Sequence, residues 1–175
     1  MKKLVIVTHP TIENSLVNKR WIEELKKYPA EFTVHALYEA YPDGKIDVLA
    51  EQKLVEAHDT VIFQYPLYWF FTPPLLKQWM DEVLVYGWAY GTGGDKMKGK
   101  KIGLAISAGI KEEDYQADGL YEVTIEQLSL PIKVTAQYIG AAFAPIFTWY
   151  DVEHNPSPEI VEDSAKAYLA YAQGL

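Results

Sequence analysis

Thr60-Val61-Ile62-Phe63-Gln64-Tyr65 is a nearly unbroken apolar run of strand length, and it passes straight into Pro66-Leu67-Tyr68-Trp69-Phe70-Phe71-Thr72-Pro73-Pro74. A strand with one face in water alternates apolar and polar residues. A continuous run reads instead as a strand covered on both faces, the mark of a parallel sheet. Thr72-Pro73 then reads as a helix start, a cap followed by proline at the first position. Leu75, Leu76, Trp79, Met80, Val83 and Leu84 follow at helical spacing, and Gly87 reads as the stop.

The same alternation extends outward in both directions. Toward the N-terminus lie a strand at Leu4-Val5-Ile6-Val7, a helix capped by Asn14 or Ser15 with Val17, Trp21, Leu25 and Tyr28 inward, a strand at Phe32 to Leu37, and a helix from Asp47 to Ala57 whose apolar side is Val48, Leu54 and Val55. Toward the C-terminus come a strand at Lys101 to Ser107, a helical pattern from Tyr121 to Ile139 kinked at Pro131, and a strand at Ala142 to Phe147. A last helix opens at Ser157-Pro158 with Ile160, Val161, Ala165, Tyr168 and Leu169 inward. Five strands alternating with helices predict an α/β fold, an open parallel sheet with helices on both faces. No repeat or linker interrupts it, so residues 1–175 read as one domain. Ligands of such folds bind at the carboxyl ends of the strands, near the switch in strand order.

Composition narrows the chemistry. The 175 residues include no cysteine, which excludes disulfides, thiolate metal sites and thiol nucleophiles. A net charge of −8 without any basic run argues against nucleic-acid binding. The opening apolar segment ends at Thr8-His9-Pro10, too early for a signal peptide. The stretch from Val61 to Leu76 carries Gln64, Pro66, Pro73 and Pro74, so no membrane insertion is expected and the chain reads as cytoplasmic. No histidine pair has metal-ligand spacing, so no metal site is predicted. No Gly-x-Ser-x-Gly elbow is present.

Three strand ends carry unusual residues. His9-Pro10-Thr11-Ile12-Glu13-Asn14-Ser15-Leu16-Val17-Asn18 joins the first strand to its helix. It has two readings, a plain capped helix with a loop histidine, or an anion site on the helix N-terminus with Ser15, Asn18 and His9 as added donors. The loop from Pro66 to Pro74 sits within the aromatic concentration of the chain: ten of its 24 aromatic residues fall between Phe63 and Tyr90. Trp69 and Phe70, in the loop, suit stacking on a flat conjugated ligand, whereas Trp79, on the helix, suits core or interface packing. Ser107-Ala108-Gly109 ends the fourth strand with residues small enough for close backbone approach. Tyr115, in the polar run after it, is either a donor to a ligand oxygen or a surface ring.

The stretch from Phe63 to Phe70, with Pro74-Leu75-Leu76-Lys77-Gln78-Trp79 and Tyr86-Gly87-Trp88-Ala89-Tyr90-Gly91, strongly resembles the NAD(P)H:quinone oxidoreductase family of flavodoxin-like flavoproteins. His9-Pro10, Ser15 and Asn18 match that family's flavin phosphate loop. The length is closest to short bacterial members, among them potassium-efflux ancillary proteins and general-stress-type oxidoreductases. The resemblance implies a flavodoxin-like three-layer α/β/α sandwich with strand order 2-1-3-4-5. It implies FMN, with FAD as the alternative, held by His9, Ser15, Leu16 and Asn18 at the phosphate and ribityl end. Pro66, Leu67, Tyr68, Trp69 and Phe70 would lie along the ring system, and Ser107, Ala108, Gly109 and Tyr115 at its far edge. Tyr115, Trp69 and Phe70 would serve the reaction.

That reaction is implied to be ping-pong, two-electron transfer from NADPH or NADH through the flavin to a quinone-like acceptor. A homodimer is also implied, with Trp79, Trp88 and the loop around Tyr90 at the contact. Two departures stand out. Ser107-Ala108-Gly109 replaces Thr-Thr-Gly-Gly, and the second member of the family's Tyr…His relay falls at Leu120-Tyr121, where no histidine occurs. Alternative roles are a regulatory subunit docked on the cytosolic domain of a potassium efflux transporter, and a one-electron flavodoxin-type carrier.

Overall fold

The computed structural model describes residues 2–175. Its centre is a five-stranded sheet of β1 (Lys3–Val7), β2 (Phe32–Ala36), β3 (Thr60–Pro66), β4 (Lys101–Ser107) and β5 (Ala142–Trp149), in the order 2-1-3-4-5. Every neighbouring pair is parallel. The helices are α1 (Leu16–Leu25), α2 (Leu37–Ala40), α3 (Val48–Glu56), α4 (Pro74–Val83), α5 (Ile125–Leu128), α6 (Leu130–Tyr138) and α7 (Pro158–Gly174).

Side chains alternate across a strand, so each strand feeds two cores. Leu4, Ile6, Val61, Phe63, Leu104 and Ile106 point into one, against α3, α4 and α6. Val5, Val7, Ile62 and Ala105 point into the other, against α1 and α7. The second layer is also stitched by polar groups. The Trp21 indole donates to Ser164 Oγ at 2.9 Å, and Arg20 grips both carboxylate oxygens of Glu162.

Several local expectations need correction. Leu37 ends no strand; it opens the short α2, which no periodicity revealed. Helix α4 starts one residue late: Pro73 is its cap position and Pro74 its first residue, while the Thr72 hydroxyl caps nothing. It also ends at Val83, before Gly87. The segment from Tyr121 to Val123 is not helical; a Thr124–Gln127 capping box starts α5, and the break before α6 falls at Ser129. Ile160 lies on the exposed side of α7.

The largest correction concerns Trp79 and Trp88. Trp79 has no solvent exposure and Trp88 only 9%, so both build the core, and Trp79 leaves no surface for a subunit contact. Their indole N–H groups donate to Glu51 and Glu56 at 2.8 and 2.7 Å. The edge strand β5 carries an extra residue between the partners of Ile102 and Leu104, at Pro145. A proline fits there because a bulge leaves one residue outside the ladder.

Candidate functional site

The chain leaves β1 for β2 on one side and returns to β3 on the other. The carboxyl ends of β1 and β3 therefore diverge around a crevice, which α1, the loop after β4 and the loop after β5 close into a two-lobed cleft. One lobe, about 290 Å³, is lined by His9, Thr11, Asn14 to Asn18, Ser107 and Asn155 among others. The second, about 450 Å³, is lined by Trp69, Phe70, Ile110, Tyr115 and Tyr121. Leu67, Tyr68, Gly109 and Glu153 belong to both, so the lobes are continuous.

The first lobe is polar and suited to an anion. Ser15 caps α1, its Oγ accepting the Asn18 N–H at 3.1 Å. The N–H groups of Leu16 and Val17, in the first turn, have no intrahelical partner, and both residues line the lobe. No acidic side chain sits in that first turn to occupy the positive end of the helix. His9 is buried and its Nδ1 accepts the Thr11 N–H at 3.2 Å, which places the ring proton on Nε2. Burial pulls the imidazole below its ordinary value, so at neutral pH it is an uncharged donor. An unfolded chain binds that proton more readily, so this group's contribution to stability is present above about pH 6.5 and is lost as pH falls through the lowered value.

Asn18 plays a different part from the free donor expected of it. Its side-chain amide donates to Ser107 Oγ at 2.8 Å, and Gln64 donates to its backbone and side-chain oxygens at 3.1 and 3.3 Å. Asn18 thus ties α1 to β3 and β4 and fixes the floor of the lobe.

The second lobe is aromatic. Trp69 and Phe70 form a two-residue turn in which both have positive φ, 50° and 62°. Tyr68 and Phe71 close it with reciprocal N–H···O bonds of 3.0 Å. Such turns normally use Asn-Gly, and each left-handed bulky residue costs about 1–3 kcal/mol. The outcome is a split pair. Phe70 folds in, its ring 5.0 Å from that of Tyr121 and 6.3 Å from that of Tyr115, while Trp69 stands 93% exposed at the mouth. Tyr115 is itself buried, so the surface-ring reading is set aside. Burial, then the nearby Tyr121 and Glu153, push its hydroxyl up to about 12, and it stays a proton-bearing donor across the neutral range.

Of the residues singled out in sequence, His9, Ser15, Leu16, Asn18, Pro66, Leu67, Tyr68, Trp69, Phe70, Ser107, Gly109 and Tyr115 all line the cleft. Ala108 does not. It is fully buried and its N–H donates to Trp149 O at 2.8 Å, inside the sheet. Tyr121, where the resemblance puts the second relay position, lines the aromatic lobe; sequence reasoning missed Thr11 and the loop after β5, above all Glu153 and Asn155. The rule that ligands sit at strand carboxyl ends, applied to β5, would have found that loop.

Among the described residues, no cluster of three or more His, Asp or Glu side chains could hold a metal, and no helix is long and apolar enough to cross a membrane.

A family model for the flavodoxin-like fold matches residues 1–172. An uncharacterised NAD(P)H oxidoreductase of Bacillus subtilis (strain 168), YrkL, is 52% identical over 171 residues, covering 98% of this chain and 97% of that protein. General stress protein 14 of Treponema denticola, solved in complex with FMN, superposes with a TM-score of 0.95 at 48% identity over 99% of both chains. An NADPH-quinone reductase structure from P. pentosaceus gives 0.89 at 29% identity over 98% of both. The strand order, the cleft at the switch point and this full-length similarity agree: the chain belongs to the flavodoxin-like fold family, beside proteins named as NAD(P)H oxidoreductases and quinone reductases.

Proposed function

We propose that this chain binds FMN in the two-lobed cleft and acts as an NAD(P)H:quinone-type oxidoreductase, passing two electrons from a nicotinamide to a quinone or similar flat acceptor. The observation that carries this reading is the joining of an anion-suited helix terminus to an aromatic slot in one continuous cleft. The donor set fits the group. Leu16 and Val17 N–H, the Ser15 hydroxyl and His9 Nε2–H suit a phosphate. When bound, the flavin supplies two-electron hydride acceptance and donation.

The remaining work falls to the chain. Ser15, Leu16, Val17 and His9 anchor the phosphate end. Leu67, Tyr68 and Phe70 wall the ring system and exclude water from it. Tyr115, held protonated, donates a hydrogen bond to a polar edge that gains negative charge. Trp69 offers a stacking face at the mouth, where nicotinamide and acceptor take turns.

The test is direct: the purified protein is yellow, mass spectrometry identifies the released flavin as FMN, and NADH or NADPH is oxidised when a quinone is added. A colourless protein that takes up no flavin on reconstitution would falsify the proposal. Within it, His9→Ala weakens FMN binding about tenfold, the worth of one hydrogen bond to a charged group. His9→Gln, whose amide nitrogen can stand near the Nε2 position, retains most of the affinity. Quenching of flavin fluorescence measures both.

A homodimer is part of the same proposal, with the expected loop around Tyr90 joined to α6 in place of Trp79 and Trp88. Leu130, Val134 and Tyr138 form an exposed stripe on α6, at 51%, 51% and 70% exposure. Tyr138 packs on Tyr90, and Tyr90 on Tyr86, extending the patch into the loop after α4. Exposed apolar patches of this kind mark interaction surfaces. Light scattering is expected to give twice the 19.9 kDa chain mass, and Val134→Lys to halve it.

A further inference from the structure

The cleft of an acidic protein would be expected to carry cations if it served to attract a phosphorylated ligand. It carries none: no lysine or arginine lines either lobe. Its one acidic side chain is Glu153, from the loop after β5, and it faces both lobes. The placement is built. The Glu153 N–H donates to Gly109 O at 3.2 Å, and its carboxyl group lies directly over the Gly109 Cα. A Cβ at position 109 would come within 2.4 Å of Glu153 Cδ, so the carboxylate at the junction of the lobes occupies the space that the glycine leaves. Glu153 forms no ion pair among the described residues, whereas its neighbours Asp151 and His154 pair with each other. Its field reaches the aromatic lobe, since it contributes to raising both Tyr68 and Tyr115.

We propose that Glu153 is an electrostatic selector of the site: its uncompensated carboxylate over Gly109 lowers the reduction potential of the bound flavin and discriminates against anionic electron acceptors. The inference rests on the flavin reading above. Two-electron reduction adds negative charge to the ring system, and a fixed carboxylate at the lobe junction opposes it. A sulfonated quinone entering the aromatic lobe meets the same charge, whereas a neutral quinone of equal shape does not. The carboxylate is solvent-accessible, so its effect is moderate and salt-screened. Glu153 acts here through space as a specificity determinant, with no bond made or broken on it.

The experiment compares the FMN-loaded wild type with Glu153→Gln, which keeps shape and backbone bond and removes the charge. Midpoint potentials are read by equilibration with a reference dye, and kcat/KM is measured for a neutral naphthoquinone and its sulfonated counterpart at low and high salt. Removing the charge is expected to favour the reduced flavin about fivefold, a rise of about 20 mV for a two-electron couple. The sulfonated-to-neutral ratio of kcat/KM rises by a similar factor, and the difference between the proteins shrinks at high salt.

Equal potentials and equal acceptor ratios in the two flavin-loaded proteins overturn the inference and leave the flavin reading intact. Should the variant fail to hold FMN, the wild type alone decides: rising salt must improve its use of the sulfonated acceptor relative to the neutral one, and a flat response overturns the inference. A wild type that binds no FMN overturns the functional reading, and this inference with it.

Discussion

Ser15→Asp is expected to leave the melting temperature of the flavin-free protein within about 2 °C of wild type while weakening FMN binding about a hundredfold or more. The substitution separates two jobs of one residue. As a cap, aspartate serves a helix N-terminus as well as serine does, accepting the Asn18 N–H that Ser15 Oγ now accepts at 3.1 Å. Its charge even favours the helix dipole. As a wall of the phosphate lobe, however, it sets a carboxylate where the ligand's own dianion must lie. Like charges at contact distance cost several kcal/mol. Thermal melting of the apo chain and a fluorescence titration with FMN check the two halves independently. Undiminished affinity would move the phosphate away from α1 and dissolve the present reading of the lobe.

Glu51→Gln should destabilise the fold by about 2–4 kcal/mol, a fall of roughly 5–15 °C in melting temperature. Glu51 is a buried carboxylate with 1% exposure. It accepts bonds from His35 Nε2 and the Tyr41 hydroxyl, both at 2.7 Å, and from the Trp79 indole at 2.8 Å. Burial alone pushes its carboxyl up, but the three donors together outweigh burial and hold it below the ordinary 4.5. A glutamine amide would turn N–H groups toward one of those donors, leaving it unsatisfied in the core. The sign with pH follows. The wild-type contribution is present above about pH 4.5 and is lost as pH falls through the lowered folded value, so the gap between wild type and variant narrows in acid. Denaturant melts at pH 7 and pH 4 measure it.

The strands β1, β3 and β4 were legible because both ends of their apolar runs are marked by polar residues or proline, whereas β2 runs from Ala36 into Leu37 unmarked. For β4, Lys101 and Ser107 bound the run and the strand alike. The phosphate lobe was legible for a related reason: a capped helix directly after a buried strand has only one place to put its N-terminus. What escaped reading was whatever depended on partners distant in sequence. Glutamate at position 51 reads as outward-facing until His35, Tyr41 and Trp79 are seen to converge on it. Trp79 and Trp88 looked free to serve an interface because nothing local shows that each indole already has a carboxylate partner. Glu153 sits in a loop of ordinary polarity, and only the sheet brings it over Gly109. Helix α2, at four residues, is too short to display a period.

The bulge at Pro145 has a bearing on how the protein survives crowding. Strand β5 is eight residues long and leaves one side of its backbone without a neighbour, a template on which another chain could add itself. Proline offers no N–H for such a ladder, and the extra residue beside it throws the spacing out of step. The margin of the sheet is thereby made a poor site for edge-to-edge aggregation, a safeguard for a chain with this many aromatic side chains.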